Sequence, residues 1–494
     1  MNSTPEWITR SVSRLRASAP DADKAGDKLA KAALDKSVTD VVAKVAVPRS
    51  TNERLAATLR RGQEALSPRA LRRLLADLQE VVAPQVSEIE GGRRAQAVAE
   101  WYAKAEPEER RDMWLLMCEQ FAPDATRFKS ARQRYEAAAG TAEEGQAEIS
   151  LRRALVSPRT RLLQRFSAFP EGMRFLVDMR AEILPLLKAD KRLLPLDAEL
   201  EHLFSTWFDV AFLELRRLSW DSPASLLEKL IKYEAVHDIR SWADLKNRLD
   251  SDRRCYGFFH PRLPNEPLIF VEVALVDKIS ASITPLLDEA AAPVDITRAT
   301  TAIFYSISNT QTGLRGVSFG DSLIKHVVET LTAEFPRLRT FATLSPIPGF
   351  RAWLSKHAGA MLERLDDKRR AELGRAVGFE PPQATHLLGA IDKALELDAR
   401  SPVRQMLLEC AAYYLGREMQ EGKPVDPVAR FHLGNGARVE RLNWAGDPSS
   451  KGQKQSYGLM VNYLYDLKRI DKHRSLLAQG KVPVSGDIDS LCRD

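Results

Sequence analysis

The sequence predicts a protein of mixed helix and sheet, in which an all-helical bundle over residues 1–200 precedes a mixed α+β and α/β domain over residues 201–494. Two observations predict this division. Apolar residues recur at the helical spacing of three and four positions almost throughout residues 40–194, and short β-branched and aromatic runs follow only after residue 201. Helical patterns separate those later runs, which is typical of a sheet covered by helices. We expect the first residues, up to about residue 40, to be flexible, as chain ends often are.

The helical part shows two helix starts in which a serine precedes a proline, Ser67-Pro68 and Ser157-Pro158. The serine hydroxyl can cap a helix, and proline is well tolerated at the first helical position. The buried stripes predicted behind these starts are Leu71, Leu74, Leu75, Leu78 and Val82 in the first helix and Leu162, Leu163 and Phe166 in the second. Residues 137–146 predict an exposed loop. Because no nucleophile, metal cluster or glycine loop stands out in this part, we expect it to have a structural role.

The second part contains four segments that predict strands. Residues 268–275 are almost continuously apolar, which is typical of a strand buried on both faces. Residues 301–308, 338–344 and 439–444 are also rich in apolar, β-branched or aromatic side chains. A capped helix is predicted at residues 224–234. Strands with helices between them indicate an α/β sheet.

A glycine-bearing loop between a predicted strand and a predicted helix is the first candidate site. Gly313, Gly316 and Gly320 follow the strand at residues 301–308 and permit tight turns and the close approach of a ligand. The apolar positions that predict the helix are Leu323, Ile324, Val327, Val328 and Leu331. The first turn of that helix directs unpaired N–H groups at the loop, and the helix dipole adds positive potential. Together these features predict a phosphate-binding site.

Ser345 is the second candidate. It follows the predicted strand at residues 338–344, and Pro346 and Pro348 fix two φ angles of the turn behind it. A serine in such a position is most often a plain turn residue. Ligands of α/β sheets bind where strands end, however, so a hydroxyl held rigidly there also suits chemistry. No Gly-Xaa-Ser-Xaa-Gly elbow surrounds Ser345, which argues against a Ser-His-acid hydrolase.

The composition limits the partners. Lys and Arg number 73 against 67 Asp and Glu, a net charge of +6, and no basic face with interleaved aromatic residues stands out, so we expect no nucleic acid partner. The four cysteines lie far apart without metal-ligand spacing, which favours a reducing compartment and no metal site. No apolar run approaches the roughly 20 residues that span a bilayer, so we expect no membrane association.

The two ends of the sequence bear on the compartment. Arg10, Arg14 and Arg16, with several serines and few acids around them, give the N-terminus some character of a mitochondrial presequence. An amphipathic first helix or a frayed bacterial terminus explains the same residues. The last residues are not a Ser-Lys-Leu peroxisomal signal. We expect a bacterial cytoplasmic protein, with the mitochondrial matrix as the alternative.

The glycine-bearing loop resembles the pyrophosphate loop of GNAT-type acetyltransferases, which bind coenzyme A. The pattern in that family opens with Gln or Arg and ends with Gly or Ala, and Arg315-Gly316-Val317-Ser318-Phe319-Gly320 matches it at both ends. Ser318 replaces the usual inner glycine, and Asp321 places a negative charge near the phosphates. Because the Gly-Lys-Ser/Thr sequence is missing, this loop is not a nucleotide P-loop.

Longer segments resemble malonyl-CoA decarboxylase. They are CYGFFHPRLPNEPLIFVEVAL from Cys255, FYSISNTQTGLRGVSFG from Phe304, TLSPIPGF from Thr343, FHLGNGARVERLNWAGD from Phe431 and GLMVNYLY from Gly458. They occur in the order of that family and extend over roughly the second half of the chain. Matches of this length are highly specific.

The resemblance implies a helical N-terminal domain that takes part in oligomers, hence a homo-oligomer (dimer or tetramer), and a GNAT-like catalytic domain that binds acyl-CoA. It also implies malonyl-CoA as the substrate and no cofactor, because coenzyme A is part of the substrate. The functional serine and histidine of the family match Ser345 in SPIPGF and His432 in FHLGNGA, and Tyr465 in NYLY matches a further active-site position. The implied substrate-binding residues are Arg315, Gly316, Val317, Ser318, Phe319, Gly320 and Asp321.

The chemistry of such a decarboxylase is self-contained, because the thioester carbonyl of malonyl-CoA accepts the electrons released as carbon dioxide leaves. The protein must orient the carboxylate, stabilise the enolate and protonate its α-carbon. We expect His432 to be the proton donor, since the ordinary pKa of histidine lies near neutral pH. We expect Ser345 to position the substrate and to take part in the proton exchange. By analogy with GNAT folds, backbone groups of residues 305–308 are candidates to stabilise the oxyanion.

Two other function classes are compatible with parts of the sequence. An acyltransferase would use the same coenzyme A loop to transfer an acyl group to an amine or thiol. A catalytically silent scaffold would use only the helical part. Ser345 and His432, each in its motif, favour the decarboxylase over both. The sequence does not distinguish malonyl-CoA from methylmalonyl-CoA, because one methyl group in a pocket is worth only about 1–3 kcal/mol.

Overall fold

The structure, a computed structural model, describes residues 65–317 and 323–492. All of them belong to one compact unit. The expectation of a flexible N-terminus and the assignments of Ser318, Phe319, Gly320 and Asp321 lie outside the described residues. No described helix is both long and apolar enough to cross a membrane.

Residues 65–207 are helical, as the sequence predicts. The eight α-helices are α1 Pro68–Val81, α2 Glu88–Lys104, α3 Pro107–Gln120, α4 Ala125–Ala137, α5 Glu144–Leu155, α6 Pro158–Ser167, α7 Gly172–Ile183 and α8 Leu194–Trp207. The predicted loop at residues 137–146 is shorter than expected, because α4 ends at Ala137 and α5 begins at Glu144. The division into domains at residue 200 stays a prediction.

Both predicted helix starts are confirmed, but only one serine caps its helix. Ser67 accepts a hydrogen bond from the N–H of Ala70, at 3.2 Å, and so caps α1. Ser157 makes no cap hydrogen bond, because its hydroxyl donates to Glu199 on α8 instead. The predicted stripe of α1 is partly wrong at its edge: Val82 lies just beyond the helix, and the buried valine is Val81.

The second part is built on an eight-stranded sheet in the order β1-β2-β3-β4-β5-β10-β6, with β9 paired to β10. The strands are β1 Glu214–Leu218, β2 Arg253–His260, β3 Leu263–Val276, β4 Thr301–Asn309, β5 Thr340–Thr343, β6 Ser345–Pro346, β9 Arg438–Asn443 and β10 Met460–Leu464. Two further short strands, β7 Met419–Gln420 and β8 Lys423–Pro424, pair with each other. The four predicted strands are confirmed as β3, β4, β5 and β9.

The predicted α/β character of the sheet is largely wrong. The β4–β5 pair is parallel, whereas the other pairs of the eight-stranded sheet are antiparallel. In the β2–β3 pair, a short turn at residues 261–262 returns the chain antiparallel to itself. The domain is therefore an α+β structure in which β4 and β5 form the parallel element.

Twelve helices accompany the sheet within the described residues. They are α9 Ala224–Tyr233, α10 Trp242–Arg248, α11 Thr284–Leu287, α12 Leu323–Glu334, α13 Phe350–Glu363, α14 Asp367–Val377, α15 Ala384–Ile391, α16 Pro402–Gly416, α17 Pro427–Gly434, α18 Ser450–Ser456, α19 Ile470–Ala478 and α20 Gly486–Leu491. Helix α12 connects β4 to β5 and buries Ile324, Val327, Val328 and Leu331 in the main core, as its apolar spacing predicts. This connection brings the end of β4 and the end of β5 to the same edge of the sheet.

Candidate active site

Three separate elements bring Ser345, His432 and Tyr465 into contact. Ser345 begins β6, His432 lies in the last turn of α17, and Tyr465 directly follows β10. The Oγ of Ser345 lies 3.3 Å from Nε2 of His432, and Nδ1 of His432 lies 2.7 Å from the hydroxyl of Tyr465. Residues that are 87 and 33 positions apart in the sequence thus form one hydrogen-bonded chain.

The position of His432 follows from how α17 begins and ends. Asp426 accepts hydrogen bonds from the N–H groups of Val428 and Ala429, each at 2.9 Å, and Pro427 occupies the first helical position. After the helix, Gly436 adopts a positive φ of 85°, which lets the chain turn directly into β9. The short helix is therefore fixed at both ends, and its last turn presents His432 to Ser345.

Burial sets the charge of His432. Its side chain is 3% exposed, and the ring of Tyr463 stacks on it with the two centroids 4.7 Å apart. Because burial disfavours the charged form, it lowers the pKa of His432 to about 3. The imidazole is therefore neutral at physiological pH, and the pKa of His432 lies well below the ordinary value from which the proton-donor role is predicted.

The hydrogen bonds around His432 favour one tautomer. Burial raises the pKa of Tyr465 above its ordinary value, so this phenol keeps its proton and donates it to Nδ1 of His432. The single N–H of the neutral ring then lies on Nε2 and points at Ser345 Oγ. Ser345 in turn donates to Oγ1 of Thr343 at 2.8 Å, and Thr343 also accepts the N–H of Tyr463 at 3.1 Å. Tyr465 thus donates to His432, His432 to Ser345, and Ser345 to Thr343.

Ser345 and His432 line a cavity of about 210 Å³. Its other described walls come from Val236, from residues 304–307 and 309 of β4, from Pro346, and from Pro427, Val428 and Phe431 of α17. None of the described lining residues is Lys, Arg, Asp or Glu. A small carboxylate in this cavity would lie against apolar and uncharged polar side chains and a neutral imidazole, without a counter-charge from these walls.

The cavity opens where the two parallel strands separate. Strand β4 pairs with β5 from Thr301 to Phe304, and the last hydrogen bond between the two segments joins the N–H of Leu344 to the carbonyl of Phe304. Beyond that point β4 continues to Asn309 against β3 alone. In an antiparallel pair every second residue directs its N–H and C=O away from the partner strand. The backbone groups of every second residue in the segment 305–309 therefore face the cavity side.

The glycine-bearing loop leaves the same edge of the sheet. After β4 the chain makes a 3₁₀ turn, Thr312–Leu314, and reaches Arg315, which is exposed, and Gly316, which has a positive φ of 84°. Helix α12 begins at Leu323. The structure therefore describes Arg315, Gly316 and Val317 of the predicted phosphate-binding residues. The described residues contain no group of three or more His, Cys, Asp or Glu side chains that could hold a metal ion.

Comparison with known proteins decides the family. Residues 211–494, more than half of the chain, match the model of the malonyl-CoA decarboxylase C-terminal domain, and residues 121–208 match that of the N-terminal domain. The chain belongs to the malonyl-CoA decarboxylase family.

Members of this family with established names are similar over most of the chain. The mitochondrial malonyl-CoA decarboxylase of Anser anser anser is 38% identical over 64% of this chain and 66% of its own length, and that of Rattus norvegicus is 38% identical over 70% and 73%. The crystal structure of the malonyl-CoA decarboxylase from Rhodopseudomonas palustris superposes with a TM-score of 0.73 at 40% identity, over 85% of this chain and 99% of that one. The structure from Cupriavidus metallidurans gives 0.70 at 44% identity, over 86% and 100%.

Sequence reasoning assigned no role to two residues of this decarboxylase-family site, although Thr343 lies within the segment TLSPIPGF. Thr343 is the acceptor behind Ser345, and Glu234 fixes a wall of the cavity. Glu234 accepts hydrogen bonds from Ser306 Oγ at 2.8 Å and from the N–H of Val236 at 2.8 Å. It thereby joins the loop after α9 to β4. An acid after a helix is common, so only its burial against β4 identifies its role.

Proposed function

We propose that this chain converts malonyl-CoA into acetyl-CoA and carbon dioxide, with Ser345 and His432 as the catalytic residues. The observation that carries the proposal is the contact between Ser345 Oγ and His432 Nε2 at the wall of a cavity without charged described residues. Membership of the malonyl-CoA decarboxylase family supports it.

The substrate lies in a GNAT-like arrangement in this proposal. In such an arrangement an acyl-CoA enters between two parallel strands that separate, and its phosphates bind to the loop after the first of them. The β4–α12–β5 unit, in which strand pairing ends at Phe304, supports this placement. The loop opened by Arg315 and Gly316 receives the phosphates of coenzyme A, and the malonyl group reaches the cavity.

Loss of carbon dioxide is favoured by the walls of the cavity. The malonyl carboxylate carries a charge that disappears as carbon dioxide forms, so apolar walls such as Val236, Val428 and Phe431 destabilise the reactant relative to the transition state. The electrons move into the thioester carbonyl. An N–H from the free side of β4 then stabilises the developing oxyanion. The protein therefore needs only to hold the carboxylate, the thioester carbonyl and this N–H in the correct geometry.

The proton comes from a neutral imidazole. A thioester enolate is a strong base, so it can take a proton from an uncharged N–H or O–H group. His432 gives the Nε2 proton to Oγ of Ser345, 3.3 Å away, and Ser345, which holds the malonyl group, gives its own hydroxyl proton to the α-carbon. When Nε2 gives up its proton, negative charge develops on the ring of His432. The hydroxyl of Tyr465, which donates a hydrogen bond to Nδ1, stabilises that charge. Solvent then restores the proton to the chain.

Replacing Tyr465 by phenylalanine is expected to lower kcat about ten- to a hundredfold. The substitution leaves Nδ1 of His432 without its donor in a buried site, which costs about 1–3 kcal/mol, and it no longer fixes the proton on Nε2. The measurement is the rate of acetyl-CoA formation. Tyr463→Phe is the matched control, since its ring also contacts His432 but its hydroxyl has no hydrogen-bond partner among the described residues. Equal rates in the two variants would remove Tyr465 from the mechanism.

The reaction is proposed to need no metal or organic cofactor, because the substrate supplies its own electron acceptor. The test follows carbon dioxide release from malonyl-CoA by purified protein, before and after dialysis against a chelator. We expect the same rate in both samples. Absence of carbon dioxide release from folded protein would refute the proposed function. Loss of activity after dialysis against the chelator, restored by a divalent metal, would refute cofactor independence.

We also propose a homo-oligomer, a dimer or tetramer, in the bacterial cytoplasm. For the assembly, the helical part offers exposed apolar side chains such as Ile149, Leu155 and Val156. Light scattering during size-exclusion chromatography would give the subunit number. A monomer at all concentrations would contradict the proposed assembly without affecting the chemistry.

A further inference from the structure

Arg180 connects the helical part to the loop that the proposed function assigns to coenzyme A. It lies on α7, and its side chain is 2% exposed. Its Nη1 donates to the carbonyl oxygens of Gly313 at 2.8 Å and Arg315 at 2.9 Å. Its Nε donates to Asp197 on α8 at 2.8 Å. One buried guanidinium thus holds two backbone carbonyls at the opening of the loop.

The same face of α7 carries two further contacts with this segment. Arg174 donates from Nη1 to the side-chain oxygen of Gln311 at 2.7 Å. The backbone of Gly313 packs so closely on α7 that an added Cβ would collide with the carbonyl oxygen of Val177. Positions 174, 177 and 180 lie three apart and therefore share one side of the helix. This side is a platform on which the 3₁₀ turn Thr312–Leu314 rests.

The hydrogen bonds to Arg180 also orient the loop. In a trans peptide the carbonyl of one residue and the N–H of the next point in opposite directions. Because the carbonyl of Arg315 points inward to Arg180, the N–H of Gly316 points outward. Gly316 is exposed and has a positive φ, so its backbone is accessible to a ligand. An outward N–H is the donor that a phosphate oxygen requires.

We propose that Arg180 is a positioning residue for substrate binding: from the helical part, it holds the backbone at Gly313 and Arg315 in the conformation that receives the phosphates of coenzyme A. The helical part then has a role in the reaction, beyond the structural role that the sequence indicates. This inference rests on the proposed function, because it uses the assignment of the Arg315 loop to the phosphates. It predicts an effect on affinity for the nucleotide end of the substrate and none on the chemical step.

Arg159 provides a matched control within the same chain. It lies on α6, is 5% exposed in its side chain, and donates from Nη1 to the carbonyl oxygens of Met117 and Cys118 at 3.2 and 3.1 Å. Its Nε donates to Glu199 at 2.7 Å. Like Arg180, Arg159 therefore holds two carbonyls and a carboxylate, but with the end of α3 instead of the loop; Arg180 differs in also reaching Glu201 at 3.4 Å.

The experiment compares Arg180→Lys and Arg159→Lys in the full chain, with malonyl-CoA and with malonyl-pantetheine, which lacks the nucleotide and its phosphates. For Arg180→Lys we expect KM for malonyl-CoA to rise about tenfold, with kcat within about twofold and kcat/KM for malonyl-pantetheine unchanged. For Arg159→Lys we expect a lower thermal midpoint and wild-type KM values. An effect on malonyl-CoA without an effect on malonyl-pantetheine indicates that Arg180 positions the phosphate-binding loop. General destabilisation of the protein would affect both substrates.

Two results would overturn the inference: an unchanged KM for malonyl-CoA in Arg180→Lys, or equal losses with both substrates. If Arg180→Lys does not fold, Asp197→Asn, which keeps the guanidinium and weakens its anchor, should show the same difference between substrates at smaller size. If the wild-type protein releases no carbon dioxide, the proposed function fails by itself. The role of Arg180 is then read from calorimetric binding of coenzyme A and pantetheine, where a loss confined to coenzyme A supports it and equal affinities in wild type and variant refute it.

Discussion

Replacing His432 by glutamine is expected to lower kcat/KM for malonyl-CoA about a thousandfold, within the range of about 10²–10⁴ that a positioned proton donor contributes. The side chain of glutamine keeps polar atoms in the buried site but has no ring N–H to give to the enolate. The measurement is acetyl-CoA formation over time, together with the thermal midpoint of the same preparation. The loss should appear mainly in kcat, because the substrate binds largely through its coenzyme A portion.

A second buried histidine controls for the cost of removing an imidazole. His260, at the end of β2, is also largely buried, and burial lowers its pKa as well. Its Nδ1 accepts the N–H of Arg262 at 3.1 Å, and it does not line the cavity. His260→Gln should therefore keep wild-type turnover. Near-normal turnover in folded His432→Gln would show that the imidazole does not supply the proton.

Replacing Ser345 by alanine is expected to lower kcat about a hundredfold. The change removes both the acceptor of the Nε2–H and the hydroxyl that holds the malonyl group, but His432 remains able to protonate the α-carbon directly or through water. The loss should therefore be smaller than for His432→Gln. Ser456→Ala is the control, because Ser456 is equally buried and donates to the carbonyl of Leu459 at 2.6 Å, outside the cavity.

The comparison of the two catalytic variants is informative in itself. A larger loss in Ser345→Ala than in His432→Gln would assign the proton donor to the serine and reverse the proposed roles. A Ser345→Ala protein with wild-type kcat would mean that this hydroxyl is only a turn residue, as a serine before proline most often is. Thermal midpoints of all four variants show whether a loss reflects unfolding.

Local sequence patterns predicted the helical elements well because their causes are local. Pro68 and Pro158 begin helices since proline suits the first helical position, and the spacing of Ile324, Val327 and Leu331 places one face of α12 in the core. Ser157 shows the limit of such patterns. A hydroxyl can cap its own helix or bond elsewhere, and here Glu199 of α8, distant in sequence, takes it.

The sequence does not predict strand β2, because charged residues within it do not indicate a buried strand. Every residue of Arg253–His260 is buried, including two arginines and a histidine that local patterns assign to the surface. The charge of Arg254 is satisfied by Glu334 at the end of α12, at 2.7 Å. Such a pairing is visible only in three dimensions. Without β2 the antiparallel turn to β3 was also invisible, and the sheet was expected to be α/β.

The site residues also fall into two groups, those that the sequence predicts and those that only the structure reveals. Ser345, His432 and Tyr465 were identified by their motifs, and the structure brings them into one hydrogen-bonded chain. The sequence did not indicate Thr343 or Glu234, whose partners come from other strands and loops. It also suggested a histidine that titrates near neutral pH, whereas the surrounding rings and strands exclude water and keep the imidazole uncharged.

The most direct test of the neutral-imidazole mechanism is the pH dependence of kcat/KM for malonyl-CoA between pH 5 and pH 8, at constant ionic strength. This parameter reports the ionisations of the free enzyme and of the free substrate. The same profile is therefore measured with malonyl-pantetheine, which lacks the phosphates that titrate in this window. Because burial lowers the pKa of His432 to about 3, the ring is already neutral throughout this window. We therefore predict that kcat/KM changes by less than about twofold across the ordinary histidine pKa of about 6.5. A profile with an ionisation near that value, present with both substrates and in both the wild type and His260→Gln, would contradict a neutral His432 as the proton donor.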